Sequence, residues 1–307
     1  MSRSRPRISL IICTRNRAAS MRRCLEWLNP IDFREAGGEL VIVDNGSTDE
    51  THRVCEAFAH SAAFAAAVAL EPTPGLGRAR NAGIAHAQGE LLAFTDDDCY
   101  PAPDFLRAAL AAFDDRPIDY CGGRVLLYDE RDARYTILDR REPRKVPPGG
   151  FRRPGTLLGS NMVFRRRVVE AIGGFDPELG PGTPFRGDDA DYLARASLAG
   201  MKGAYVPEIV VFHHHGRRVQ KGLAPLRRAD DFARGAFYAK FVFLGYGKFA
   251  REWAGHAWRG LRRGDLRPFV RELHGAAAYV WSRRFRMPPL RMDVWTGFSN
   301  TGPEAIR

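Results

Sequence analysis

The segment Leu91-Leu92-Ala93-Phe94-Thr95-Asp96-Asp97-Asp98-Cys99 constrains this chain more than any other. An apolar run, short enough for a buried strand, ends abruptly in three carboxylates. Burying three unpaired negative charges is prohibitively costly, so they must face solvent, a partner or a cation. In an extended segment alternate side chains share a face, which predicts that Asp96 and Asp98 converge while Asp97 points away. Such a pair suits a hard divalent ion, Mg²⁺ or Mn²⁺, whose oxygen shell substrate phosphates would complete. Taken alone, the nine residues favour a solvated acidic turn capping a strand. The rest of the chain reverses that.

Ile8 to Cys13 and Leu40 to Val43 are continuous, β-branched-rich runs, as buried parallel strands are. Helices are predicted over Ala18 to Leu28, about Asp49 to Ala67 with Ser47 or Thr48 as cap, and Leu76 to Ala87. A further apolar piece spans Ala67 to Leu70. This alternation implies an α/β fold with a doubly wound, mostly parallel central sheet flanked by helices. Ligands collect beyond the carboxyl ends of strands in such sheets, and Thr14, Asp44 and Asp96 all sit at such ends. Farther on come a strand near Cys121 to Tyr128 and a long loop from Asp129 to Gly155, expected to be mobile and able to close over a ligand. A short helix from Arg165 to Ile172 follows, then an acidic helix start at Asp188-Asp189-Ala190-Asp191, which the helix dipole alone would favour. A strand near Ala204 to Phe212 precedes His213-His214-His215.

Composition removes several classes. Five scattered cysteines without CxxC spacing argue against a disulfide framework or zinc site and fit a reducing cytosol. The apolar run after the basic N-terminus is too short for a signal peptide, and no stretch reaches the roughly 18 uncharged apolar residues of a membrane span. A cytoplasmic protein, soluble or peripheral at the inner membrane face, is expected. The net charge of +11 is uneven: Arg217 to Arg291 holds 18 Lys/Arg against 5 Asp/Glu, leaving about −2 for the remainder. Aromatic residues, among them Phe237, Trp253, Trp258 and Trp281, interleave with these arginines. Basic and aromatic residues on helices suit an anionic membrane surface, so peripheral contact through 217–291 is expected. Arginine stems covering an apolar helical surface would give the same pattern. Nucleic acid phosphates attract the same charges, yet nucleic acid is not the expected partner.

Seven segments in order carry a family resemblance. ICTRNR (Ile12 to Arg17), VIVDNGSTD (Val41 to Asp49), GRARNAGIAHAQGE (Gly77 to Glu90) and FTDDD (Phe94 to Asp98) come first. GSNMVFRR (Gly159 to Arg166), GGFDPELG (Gly173 to Gly180) and GDDADYLAR (Gly187 to Arg195) follow. Together they resemble glycosyltransferase family 2 over about residues 6 to 216. The resemblance implies a GT-A type catalytic domain over 1–216, with a nucleotide-sugar half to about 100 and an acceptor half from about 101. Residues 217–307 become a basic, aromatic-rich helical extension. It further implies inverting transfer from a nucleotide-diphosphate sugar to a saccharide or lipid-linked acceptor, assisted by Mn²⁺ or Mg²⁺.

Residue by residue, the resemblance assigns Asp96 and Asp98 to the cation. Thr14, Asp44, Arg80, Asp96 and Asp97 go to the donor, with Arg78 a rival to Arg80. Asp189 becomes the catalytic base, preceded here by Asp188 where the family usually has Glu. A histidine after the last strand should join the metal or diphosphate, His213 first and His215 second. Two rival classes fit the chain less well. A nucleotidyltransferase wants a glycine-rich, lysine-bearing loop after the first strand, and Cys13-Thr14-Arg15-Asn16-Arg17 supplies no glycine. A non-catalytic carbohydrate- or nucleic-acid-binding module on a degenerate transferase fold is opposed by intact acidic residues at both positions.

Overall fold

The computed structural model describes residues 5–151, 153–218 and 223–284; parts of the extension's basic segment, 219–222 and 285–291, lie outside the described residues. Strands β1 (Ile8–Thr14), β2 (Gly38–Asp44), β3 (Ala65–Leu70) and β4 (Leu91–Asp96) pair in parallel in the order β3-β2-β1-β4. Beyond β4 the sheet becomes mixed. β8 (Met162–Arg165) lies antiparallel between β4 and β6 (Tyr120–Leu127), and β9 (Gly203–His213) runs parallel to β6. The short strands β5 (Cys99–Pro101) and β7 (Arg144–Val146) pair antiparallel with β9. The α/β architecture expected from the alternation is present, with its parallel character concentrated in the first half.

Both faces of the sheet are covered, which is why its strands read as continuous apolar runs. In β1, Leu10 and Ile12 enter the core under α1 (Ala18–Trp27), α2 (Thr51–Ser61) and α4 (Phe105–Asp115), while Ile11 enters the core of the other face. That second face carries α3 (Leu76–His86), α5 (Arg166–Ile172) and α6 (Asp188–Leu198). Helices α7 (Leu223–Phe243) and α8 (Gly247–Arg262) add to the same core, and α9 (Arg267–Arg284) packs on α7.

Three expectations need correction. The helix expected to reach Ala67 stops at Ser61, because Ala62 is extended and Phe64 stacks on Phe33 with ring centroids 4.0 Å apart. Pairing with β2 then turns the alanine-rich run into β3. Nor is its cap Ser47 or Thr48. Ser47 Oγ accepts from the Asn16 amide and the Thr48 amide donates to Asn16 Oδ1, so both hold the loop after β1 instead. The long loop from Asp129 to Gly155 is fastened along its length: β7 pairs with β9, Leu138 bridges Val125, and the Gly149 amide donates to the Ser197 carbonyl.

The extension is joined to the domain by close backbone contact and by buried charge. A Cβ on Gly235 of α7 would fall 1.8 Å from the Glu272 carbonyl oxygen, and one on Gly275 of α9 1.9 Å from that of Phe232. Only glycine permits that approach. Lys240 of α7 pairs with Asp176 at 2.9 Å and with Asp191 of α6 at 2.6 Å, while Arg283 of α9 reaches Asp176 at 2.9 Å. Burial pushes the Asp176 carboxyl up, but Lys240 and Arg283 outweigh it and hold the group at about 2. A carboxylate held below its unfolded value stabilises the fold above about pH 4 and loses that contribution as pH falls through 2. Asp176→Asn should therefore cost about 2 kcal/mol in urea unfolding at neutral pH, with the gap to wild type narrowing as pH is lowered from 4 toward 2.

Candidate active site

Strand β4 ends at Asp96, and Asp97 and Asp98 form the turn into β5. Strict alternation therefore stops two residues too early to govern all three carboxylates. Asp97 points into the protein, 3% exposed, where Thr14 Oγ1 donates to its Oδ2 at 2.6 Å. Arg17, from the loop after β1, pairs with Asp97 at 2.9 Å and with Asp98 at 2.8 Å. Burial pushes the Asp97 carboxyl up to about 7 against the pull of Arg17 and Thr14. Burial also acts on Asp98, but His213 and Arg17 outweigh it and hold that group well below the usual carboxylate range. Two neighbouring aspartates thus have opposite electrostatic characters.

His213, at the end of β9, brings its Nε2 to 3.5 Å from Asp98 Oδ1. Its Nδ1 lies 3.1 Å from Thr136 Oγ1, whose hydroxyl donates to the Tyr135 carbonyl at 2.6 Å. With that proton committed, the Thr136 oxygen accepts from Nδ1–H, which fixes the ring with Nε2 turned toward Asp98. Asp98, Cys99 and His213 offer ligand atoms all within 4.8 Å of one another. Cys99 is buried and its thiol is pushed far up, so it stays protonated and donates to Asp98 Oδ1 at 3.7 Å. Of the three, the carboxylate and the imidazole are the groups that could hold a cation.

Asp96 stands outside that group and faces the cleft, its side chain 36% exposed. His215 takes no part in the group either. Its Nδ1 accepts from the Arg217 amide at 3.0 Å and its Nε2 meets the Ala133 carbonyl at 2.9 Å, so both nitrogens are occupied. His214 Nδ1 lies 3.1 Å from the Tyr100 hydroxyl. Asp44 accepts from the Ser47 amide and pairs with His52 at 3.1 Å. Thr14 spends its hydroxyl on Asp97.

The second acidic site is built at the start of α6, entered through Gly187 at φ +97, a conformation glycine adopts without strain. Asp188 is buried and pairs with Arg80 Nη1 at 2.5 Å. Burial and the neighbouring Asp189 and Asp96 charges raise its carboxyl, with Arg80 opposing them. Arg80 Nη2 lies 3.5 Å from Asp96 and donates to the Gly159 carbonyl at 3.3 Å. Asp189 is more open. Its Oδ2 accepts from the Gly159 amide and its Oδ1 from the Ala190 amide, both at 2.8 Å, which orients the carboxylate and leaves lone pairs for a hydroxyl. Asp191 pairs with Arg195 at 2.9 Å, four residues on, as the helical spacing allows.

A cavity of about 500 Å³ brings these parts together: Asp96, Arg80, Asp189 and His213 line it with Ala233 and Phe237 of α7. The first helix of the extension is thus a wall of the site. The motifs also contain residues that support the site from behind. Asn45 donates to the Glu71 and Thr73 carbonyls and accepts from the Gly75 amide, fixing the turn into α3. Asn81 exchanges hydrogen bonds with the Phe175 backbone, and the Arg80 guanidinium lies over the Phe175 ring at 5.2 Å. Arg17 and both asparagines stood inside the motifs, but nothing local marks a residue whose partner is far along the chain.

The model of "Glycosyl transferase family 2" matches residues 9–173, more than half the chain. The chain belongs to glycosyl transferase family 2. Among curated relatives of this family-2 chain, glycosyltransferase AglE of Haloferax volcanii is 26% identical over 220 residues, covering 69% of this chain and 68% of that one. The pre-mycofactocin glycosyltransferase of Mycobacterium tuberculosis is 25% identical over 237 residues, covering 75% of this chain and 46% of that protein, so the chain spans less than half of it. Among solved structures, the mannosyltransferase PcManGT of Pyrobaculum calidifontis, in complex with GDP-mannose and Mn²⁺, superposes with a TM-score of 0.62. It is 22% identical, and the match covers 92% of this chain and 76% of that one. This likeness shows the GT-A type fold, helical extension included.

Gly159 joins the two acidic clusters, and a Cβ there would meet Asp189 Cβ at 2.8 Å and Arg80 Nη2 at 3.0 Å. A misplacement of about 1 Å is costly in rate wherever the displaced group takes part in the chemistry. Gly159→Ala should lower sugar transfer on the order of 10²-fold while circular dichroism shows a folded chain.

Proposed function

We propose that this glycosyltransferase moves a sugar from a nucleoside diphosphate to an alcohol of a saccharide or lipid-linked acceptor, with inversion, between the Asp98–His213 and Asp189 ends of one cleft. The observation that carries the reading is that a single cavity is lined by Asp96, His213 and Asp189 together. The donor diphosphate belongs at the Asp98–His213 end. Its base belongs over the ends of β1 and β2, where Asp44 and its partner His52 lie, and Thr14 acts there through Asp97.

A carboxylate beside an imidazole fits Mn²⁺ and fits Mg²⁺ less well, since imidazole suits transition metals. The Mn²⁺ and GDP-mannose bound to the structural neighbour support this. Asp98 and His213 would hold the cation, which when bound neutralises charge on the leaving diphosphate. Asp189 receives the proton of the acceptor hydroxyl as its oxygen bonds to the anomeric carbon and the bond to the diphosphate oxygen breaks. Arg80 is a positioning residue that sets Asp96, Asp188 and Gly159. Residues 1–216 form the catalytic domain, and the extension from 217 completes its cleft through α7.

Nucleoside diphosphate release from UDP-, GDP- and dTDP-sugars with Mn²⁺ tests this. Asp189→Asn should lower turnover on the order of 10³-fold and keep the cation-dependent thermal shift with donor, while Asp98→Asn should lose both. Full turnover in either variant overturns the assignment.

We place the protein at the inner face of the cytoplasmic membrane, held peripherally by α8 and α9. Among the described residues no helix is long and apolar enough to cross a membrane. Trp258 and Leu261 of α8 and Val270, Leu273 and Trp281 of α9 are exposed, at 45–65%, among arginines such as Arg259, Arg262 and Arg267. Apolar side chains beside cations suit an anionic bilayer. The full chain should sediment with phosphatidylglycerol vesicles and not with phosphatidylcholine vesicles, and Trp258→Ala/Leu261→Ala/Trp281→Ala should release it. Equal behaviour on both vesicle types would remove the proposal.

A further inference from the structure

Beside the catalytic cleft lies a second cavity of about 490 Å³ that the transfer chemistry does not use. Arg140, Arg144, Lys145 and Arg153 line it, opposed by one acid, Glu252 of α8. Glu252 is already committed, 2.5 Å from Arg153 and 3.7 Å from Arg259. Among the described residues, the side chains of Arg140, Arg144 and Lys145 form no hydrogen bond or ion pair. Three cations without an ion pair therefore line one hollow of a size suited to a small ligand, two of them, Arg140 and Arg144, also bordering a hollow lined by Asp139 and Glu142.

The fold holds these cations in place rather than leaving them on a loose loop. Arg144 and Lys145 stand on β7, in register with Tyr205 and Ala204 of β9. Tyr205 Oη accepts from the Arg140 amide at 3.0 Å and donates to the Arg140 carbonyl at 2.8 Å. Beyond them, Phe151 is fully buried and its amide donates to Ser197 Oγ of α6. A loop so fixed has already lost the conformational entropy that a ligand would otherwise have to offset.

Pro154 and Gly155 line both this cavity and the catalytic cleft, so the two hollows share a wall. Leu138 faces the cleft two residues before Arg140 faces the basic cavity. The shared wall runs on to Gly159, the residue that orients Asp189, and so lies on the acceptor side. Guanidinium forks and an ammonium without an opposing free acid match phosphate oxygens, which accept several charge-assisted hydrogen bonds at once.

We propose that this cavity binds a phosphate or diphosphate group carried by the acceptor, holding it while a hydroxyl elsewhere on the same molecule reaches Asp189. The inference rests on the transferase reading for the word acceptor, and on charge and geometry for the phosphate.

Calorimetric titration of the full chain in EDTA, with inorganic pyrophosphate as probe, tests it without donor, cation or turnover. Wild type should bind, Arg140→Gln/Arg144→Gln/Lys145→Gln should bind at least tenfold more weakly, and the charge-matched Arg22→Gln/Arg53→Gln/Arg107→Gln, on the helices of the other face, should match wild type. No binding by wild type, equal binding by the cavity variant, or equal loss in both variants overturns the site. Farnesyl diphosphate and a glycerol phosphate oligomer separate the sources. Tighter binding of the first assigns a lipid-linked acceptor, tighter binding of the second a phosphate-bearing polymer, and equal binding recognition of the phosphate alone. Failure here leaves the donor chemistry standing, and failure of the donor chemistry leaves this binding result unchanged.

Discussion

Arg80 sits where the two halves of the site meet, and its buried guanidinium is the interaction on which their geometry depends. Asp188 at the start of α6 lies 2.5 Å away, Asp96 at the end of β4 3.5 Å away, and the Gly159 carbonyl takes a further hydrogen bond. Each of those carboxylates would repel the other in a poorly solvated cleft, and one cation between them lets both exist there. Breaking a buried pair by removing one partner generally costs more than the pair itself is worth, because the survivor is left charged and dry. The neighbouring Asn81 grips the Phe175 backbone, so the same turn of α3 also fixes the loop that leads toward α6.

A similar logic joins the extension to the domain. Lys240 lies between Asp176 and Asp191, and Asp191 is shared with Arg195 of the same helix. Glycines 235 and 275 let α7 and α9 come together at backbone distance. Because α7 also walls the cleft with Ala233 and Phe237, the charges that dock it bear on the shape of the site. A boundary drawn at residue 216 by motif resemblance therefore separates the recognisable catalytic motifs from the rest, without dividing the cleft.

How much was legible in the sequence follows from the range of the forces involved. Strand positions β1, β2 and β4 were readable because burial on both faces demands unbroken apolar runs. The length of α2 was not, since Ala62 to Ala67 suits either a helix or a strand until Phe64 finds Phe33 and β2 offers its edge. The three aspartates were readable as a site, but not their division of labour. Alternation assumes that the strand continues, and it ends at Asp96, after which Arg17 and Thr14 decide where Asp97 points. Among three adjacent histidines, register along the chain could not choose. Thr136, held at φ +53 in a loop far upstream, orients the ring of His213, while Ala133 and Arg217 occupy His215.

By itself, then, the sequence determined the alternating architecture, the family motifs and the identity of the acidic groups, because each depends on residues close along the chain. Tertiary structure alone decided which carboxylate is dry and which is open, which imidazole faces Asp98, and that a helix from the extension closes the cleft. Those outcomes depend on desolvation and on charges brought together from distant positions. Neither quantity exists until the chain has folded.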